Sequence, residues 1–202
     1  MKSKLVVVDY GVCNFKSIIN MAQRIGYTVE KTEKKEDLLS ADKIILPGVG
    51  AFDHGISKLT EFGYFDNLKT AASMGTPILG ICLGMQLLGR SSQEGKLKGL
   101  ELLDFHCEKF QVKSNIRIPH VGWNYIIPKK KTKLLGGLDS YKFYFTHSYH
   151  AVASNKEIIG ATCNHGYEFP CILEHKNIYG VQFHPEKSHK FGYDLLKNFL
   201  AL

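Results

Sequence analysis

The sequence predicts an α/β fold: an open, mostly parallel twisted sheet flanked by helices, with antiparallel strands in the C-terminal half. Three observations carry this. Short apolar runs alternate with helix-period segments through the first half, which implies right-handed βαβ units. The second half is rich in β-formers punctuated by Asn and Gly. No repeat, low-complexity segment or linker divides the 202 residues, so 1–202 is expected to be one domain, burying roughly 70% of the surface of its unfolded chain.

The first strand, Leu5 to Val8, leads through a loop at Asp9 to Asn14 into a helix over Phe15 to Ile25, where Gly26 stops it. Lys43 to Leu46 is a second apolar strand and ends in Pro47-Gly48-Val49-Gly50. Helical stretches follow around Ile56 to Leu59 and from Phe65 to Ser73. A third strand, Pro77 to Ile81, runs into the apolar helix Met85 to Leu88. Phe143 to Thr146, Ile158 to Cys163, Cys171 to Glu174 and Tyr179 to Phe183 read as antiparallel strands and hairpins. A last helix, Gly192 to Leu200, places Leu195, Leu196 and Phe199 on one face.

Composition narrows the function classes. Lys and Arg outnumber Asp and Glu 26 to 19, a net charge of +7, but only Lys129, Lys130, Lys131 and Lys133 are concentrated. Beside Pro128 they read as a solvated loop rather than a nucleic-acid footprint. The apolar run after the first lysines is four residues long before Asp9, too short for a secretory segment. No stretch has the apolar length of a membrane span, so a cytoplasmic location is expected. Cys13, Cys82, Cys107, Cys163 and Cys171 are odd in number and widely spaced, which reads as reduced thiols.

The chemistry concentrates in two segments. Pro77 to Gln86 is strand, Gly-x-Cys-x-Gly, helix, the thiol form of a nucleophile elbow. A side chain at Gly80 or Gly84 is expected to collide with the neighbouring strand and helix, and a helix amino terminus favours thiolate at Cys82. The apolar strand ending Gly180-Val181-Gln182-Phe183-His184-Pro185-Glu186 supplies a histidine, and Glu186 two residues on shares its side of extended chain. Pro185 keeps His184 out of helical conformation. Nucleophile, base and orienting acid are therefore Cys82, His184 and Glu186. Leu83 N–H, just after the nucleophile, is one natural oxyanion donor. The Pro47 to Gly50 loop fits a second, and fits an ordinary strand-to-helix turn equally well. It is not a dinucleotide fingerprint, because Asp53 stands where the third glycine belongs.

Four segments in order, LPGVGAF (Leu46 to Phe52), GICLGMQLL (Gly80 to Leu88), PHVGWN (Pro119 to Asn124) and GVQFHPEKS (Gly180 to Ser188), resemble the glutaminase subunits of imidazole glycerol phosphate synthase, within the class I (triad) glutamine amidotransferases. The resemblance runs nearly end to end and implies a flavodoxin-like amidotransferase fold without a cofactor or metal. By that resemblance Cys82 attacks the glutamine amide, His184 shuttles the proton to departing ammonia and Glu186 orients His184. Val49 or Gly50 would add the second oxyanion N–H. Gln86 and Glu94 match positions that hold the amino acid end of glutamine, and Ser148 and Tyr149 line the same pocket. The implied partner is a (β/α)8 cyclase, forming a heterodimer, that turns the ammonia into imidazole glycerol phosphate and aminoimidazole carboxamide ribotide. Trp123 and Asn124 match a segment lying against it. Cys13 departs from the Gly or Ala common in relatives, which bears on the first loop only.

Alternatives remain at this level. The same glutaminase chemistry serves cyclase-like partners that aminate sugars for cell-surface glycans. A noncatalytic regulatory subunit is a different class, disfavoured by the intact Cys82, His184 and Glu186. A metal site at His147 and His150 is disfavoured because three-residue spacing on a strand puts the rings on opposite faces.

Overall fold

In the computed structural model, which describes residues 4–11, 15–32, 34–111, 116–136 and 140–202, the chain begins with β1 (Leu5–Val7), α1 (Phe15–Ile25) and β2 (Val29–Lys31). It continues through β3 (Lys43–Gly48), α2 (Phe52–Glu61), α3 (Tyr64–Ser73), β4 (Ile78–Cys82) and α4 (Leu83–Leu87). The second half contributes β5 (His106–Lys109), β6 (His120–Pro128), β7 (Tyr141–His147), β8 (Tyr149–Val152), β9 (Ile159–Asn164), β10 (Glu168–His175), β11 (Ile178–Val181) and α5 (His189–Leu200). Cys13 lies outside the described residues.

A nine-stranded sheet takes the order β2-β1-β3-β4-β11-β10-β9-β6-β7, and β5 pairs with β8 in a separate ribbon. The first five strands in that order run parallel, as the alternation of strand and helix requires. The remaining pairings are antiparallel. The strand expected as an antiparallel hairpin arm at Tyr179 to Phe183 forms that hairpin with β10 and is also where the two halves of the sheet meet. As β11 it lies antiparallel to β10 and parallel to β4. Entering the sheet's middle beside β4 is what carries the end of the chain to the elbow.

Strand alternation divides the core in two. Leu5, Val7, Ile45, Leu79 and Ile81 face one side with α1 and α5, through Ile18, Ala22, Leu195, Leu196 and Phe199. Val6, Ile44, Leu46 and Ile78 face the other, under α2 and α3, through Ile56, Leu59, Leu68 and Ala71. Both faces of the parallel strands are covered, so β3 reads as an unbroken apolar run. Among the described residues no helix is long and apolar enough to cross a membrane. The lysine run lies on the exposed surface, where Lys129 pairs with Glu168 at 2.8 Å and Lys130 with Glu174 at 3.5 Å.

Candidate active site

The elbow forms where β4 passes directly into α4, with Cys82 between them at φ 55° and ψ −112°. Such a conformation is strained for any residue with a Cβ and persists only where the surroundings impose it. The imposition is visible in the two glycines. A Cβ on Gly84 would sit 1.8 Å from the Leu46 carbonyl oxygen on β3, and one on Gly80 would sit 2.7 Å from both the Gly84 carbonyl oxygen and Leu88 Cδ1. Backbone packs on backbone at this point, which fixes how far Cys82 stands above the sheet. Gly48, at the end of β3, pairs directly with Cys82, and Gly50 follows at φ 98°. Val49 and Gly50 thereby reach the same cleft as Leu83.

His184 follows β11, the strand neighbouring β4. Its backbone is extended, at φ −102° and ψ 97°, as the following proline requires. The chain does not stay extended, however. Pro185–Lys187 form a single 3-10 turn, because Pro185 has the φ of a first helical position and the Ser188 N–H returns to the Pro185 carbonyl at 2.9 Å. That turn, rather than strand alternation, brings Glu186 Oε1 to 2.7 Å from His184 Nδ1. The segment is braced on β7: His184 N–H donates to the Tyr144 carbonyl, the Ser188 hydroxyl donates to the His184 carbonyl at 2.6 Å, and Tyr144 N–H donates to that hydroxyl at 3.0 Å.

Burial alone would lower the His184 imidazole, but the Cys82 sulfur and the Glu186 carboxylate outweigh it and raise the pKa to about 10. Nε2 makes no hydrogen bond to nitrogen or oxygen within the described residues, and the sulfur is close enough to perturb the ring. Cys82 Sγ itself lies 3.9 Å from the Thr146 carbonyl oxygen and 3.9 Å from Gln182 Nε2. Burial pushes the thiols of the other described cysteines up: Cys163 to about 12, Cys107 and Cys171 well above their ordinary value. They are held neutral and unreactive.

A cleft of about 500 Å³ opens over the elbow, lined by Val49, Gly50, Cys82, Leu83, Gln86, Glu94, Ser148, Tyr149 and His184 among others. This is the size range of small-molecule sites. A thiol on a strained turn, backbone donors beside it, and an imidazole locked to a carboxylate can together carry out acyl transfer.

The class-I glutamine amidotransferase family matches residues 6–202. The chain belongs to that family. It is 42% identical over 200 residues to imidazole glycerol phosphate synthase subunit HisH 2 of Pseudomonas aeruginosa, covering 98% of this chain and 99% of that one. It is 46% identical over 198 residues to the subunit of the same name from Methanococcus maripaludis, covering 97% and 98%. The chloroplastic hisHF synthase of Arabidopsis thaliana is 39% identical over 201 residues, 98% of this chain but 34% of that one. A solved glutamine amidotransferase from Thermotoga maritima superposes with a TM-score of 0.72 at 14% identity, covering 99% and 97%, which is a likeness of fold.

Within this amidotransferase cleft, Gln86 is buried. Its amide Nε2 donates to the Tyr149 carbonyl at 3.2 Å and to Gln182 Oε1 at 3.1 Å. Glu94 is half-buried, and one of its carboxylate oxygens accepts the Phe52 N–H at 2.8 Å, capping α2, which has no side-chain cap of its own. Asp53 in turn receives the Lys96 and Leu97 N–H groups, holding the Glu94 loop against α2.

Trp123 and Asn124 lie outside the cleft and on opposite faces of β6. Trp123 is 40% exposed, with Val121, Tyr125 and Ile127 exposed in the same row, and its ring stacks on His189 at 5.3 Å. The Asn124 amide faces inward, donating to the Asn164 carbonyl and to His120 Nε2. His147 and His150 do not point apart as strand spacing implied. The chain breaks at Ser148 between β7 and β8, and both rings lean on Phe110, at 5.3 and 4.7 Å. Sequence reasoning passed over Thr146, weighed His147 only as a metal ligand, and quoted Gln182 without giving it a role; the signals were proximity to Ser148 for the first two and to His184 for the last.

Proposed function

We propose that the chain hydrolyses glutamine to glutamate and ammonia through a Cys82–His184–Glu186 triad and a thioester intermediate, acting in the cytoplasm as the glutaminase partner of a (β/α)8 cyclase. One observation carries this reading: a cysteine on a strained elbow shares a cleft with a histidine locked to a buried carboxylate.

The Cys82 sulfur attacks the side-chain amide carbon of glutamine, and the developing oxyanion is met by Leu83 N–H and by Val49 or Gly50 N–H. Glu186 holds Nδ1 of His184, and Nε2, which the raised pKa of the ring keeps protonated at rest beside the sulfur, gives that proton to the departing nitrogen. Ammonia leaves, and water activated by the same imidazole cleaves the thioester. Gln86, Glu94, Ser148 and Tyr149 hold the amino acid end of the substrate.

The names of the relatives support the destination, a cyclase that forms imidazole glycerol phosphate and aminoimidazole carboxamide ribotide in histidine biosynthesis. In the Arabidopsis relative the matched portion is 34% of the chain, which leaves room for the cyclase in one polypeptide. The exposed row of Val121, Trp123, Tyr125 and Ile127 supports docking on β6, with Trp123 as an anchor and Asn124 bracing the strand from behind.

The test is glutamate and ammonia release with and without the cyclase. Cys82→Ala is expected to abolish both, and a glutamine-like electrophile to modify Cys82 alone among the cysteines. Undiminished ammonia release by Cys82→Ala would overturn the mechanism. Failure of the reconstituted pair to form imidazole glycerol phosphate would redirect the ammonia to another acceptor.

A further inference from the structure

We propose that His120 and His147 are positioning residues for the glutamine pocket, acting through the Tyr149 carbonyl and the Gln86 amide. The inference rests on the reading of Cys82 as nucleophile and deepens it by two residues that never touch the substrate's reacting atoms.

The Tyr149 carbonyl can only accept, so His147 Nδ1, 2.8 Å away, carries its proton and donates. His147 Nε2 is then an acceptor, and it lies 3.1 Å from His120 Nδ1, which must donate. His120 Nε2 accepts in turn from Asn124 Nδ2 at 3.3 Å. One carbonyl thus dictates the tautomer of two imidazoles. The same carbonyl also takes a second donor: Gln86 Nε2 donates to it and to Gln182 Oε1, and Gln182 Nε2 points its hydrogen at Cys82 Sγ. Hydrogen bonds therefore connect the inner face of β6 to the sulfur, with the Tyr149 carbonyl accepting from His147 on one side and from Gln86 on the other. They pass through Tyr149, Gln86 and His147, which line the cleft.

The series works only while both imidazoles are neutral, because a charged ring has no lone pair to accept with. Their surroundings keep them so. Burial, with His165 stacked on it at 4.2 Å, pushes His120 down to about 4. Burial holds His147 well below its ordinary value, with His120, His150 and His165 adding to the effect. The other faces are aromatic: Phe110, Phe145 and Phe169. Glu108 is the carboxylate nearest in influence, and it acts on His150. His150 and His165 are satisfied elsewhere, by Ala151, Tyr167 and Arg117. A polar series so fully connected in an aromatic wall fixes one geometry, and removing one member leaves a buried group without a partner.

The test compares two reagents on Cys82 of the full chain. A diazo-ketone analogue of glutamine needs the pocket wall, whereas iodoacetamide needs only the thiol. His120→Phe keeps the ring stacking but removes the donor to His147. It is expected to lower the analogue's labelling rate by tenfold or more and to leave the iodoacetamide rate within twofold. His120→Asn, whose Nδ2–H replaces the imidazole Nδ1–H, is expected to recover most of the lost rate. An unchanged analogue rate in His120→Phe would overturn the proposal. So would an equal fall in both rates, since the ring would then serve only the core. If wild-type Cys82 reacts with neither reagent, the nucleophile assignment falls instead.

Discussion

Acid acts on the buried His120 ring. It lies between Phe145 and His165, and its pKa falls from an ordinary 6.5 to about 4. A histidine whose pKa is depressed by folding binds its proton more readily when unfolded. Its contribution is therefore fully present above pH 6.5 and drains away as the pH falls from 6.5 towards 4. At about 1.4 kcal/mol per pH unit, the loss from this one ring between pH 7 and pH 5 is about 2 kcal/mol. The assay is urea denaturation at the two pH values for wild type and His120→Asn, which keeps the hydrogen bond to His147 but cannot titrate. The variant is expected to lose about 2 kcal/mol less than wild type over that interval. The same acid loss in both proteins would refute the reasoning, since it would place the sensitivity on other groups.

Two further outcomes follow from the elbow and its base. Gly84→Ala has no room, because the new carbon would sit 1.8 Å from a backbone oxygen of β3. Expression of folded protein, or failing that glutaminase activity, is expected to be lost, and a stable active variant would show that the elbow does not rest on β3. Cys82→Ala removes one of the two influences that hold the His184 pKa at about 10. Its imidazole, followed by NMR, is expected to titrate at lower pH than in wild type, and an unchanged midpoint would separate the ring from the sulfur.

Most of the parallel half of the fold was legible because β1, β3 and β4 are buried on both faces and the helices are amphipathic, so each apolar run had one reading. The elbow and the His-Pro-Glu segment were legible for a different reason: glycine and proline declare backbone geometry before any fold is known. β6 was missed because it inverts the usual rule. His120, Gly122 and Asn124 form the row opposite to the exposed Val121, Trp123, Tyr125 and Ile127, a pattern that suggests no buried face. Tertiary packing buries the Gln86 amide between Tyr149 and Gln182, which its neighbours in sequence do not reveal. Glu94 has a helix-capping bond that no local pattern announces, since Phe52 is 42 residues away. β2, β5 and β8, of three to four residues each, are too short to show a period.

The parallel stack of Trp123 on His189 has an optical consequence. Trp123 is the only indole in the 202 residues, so the emission excited at wavelengths that bypass the tyrosines originates from one spot on β6. An imidazolium quenches an adjacent indole, and a covering surface that strips water from it moves the emission to shorter wavelength. The molecule is therefore born with a reporter dye at its proposed docking face, and assembly can be followed by colour and brightness without attaching a label.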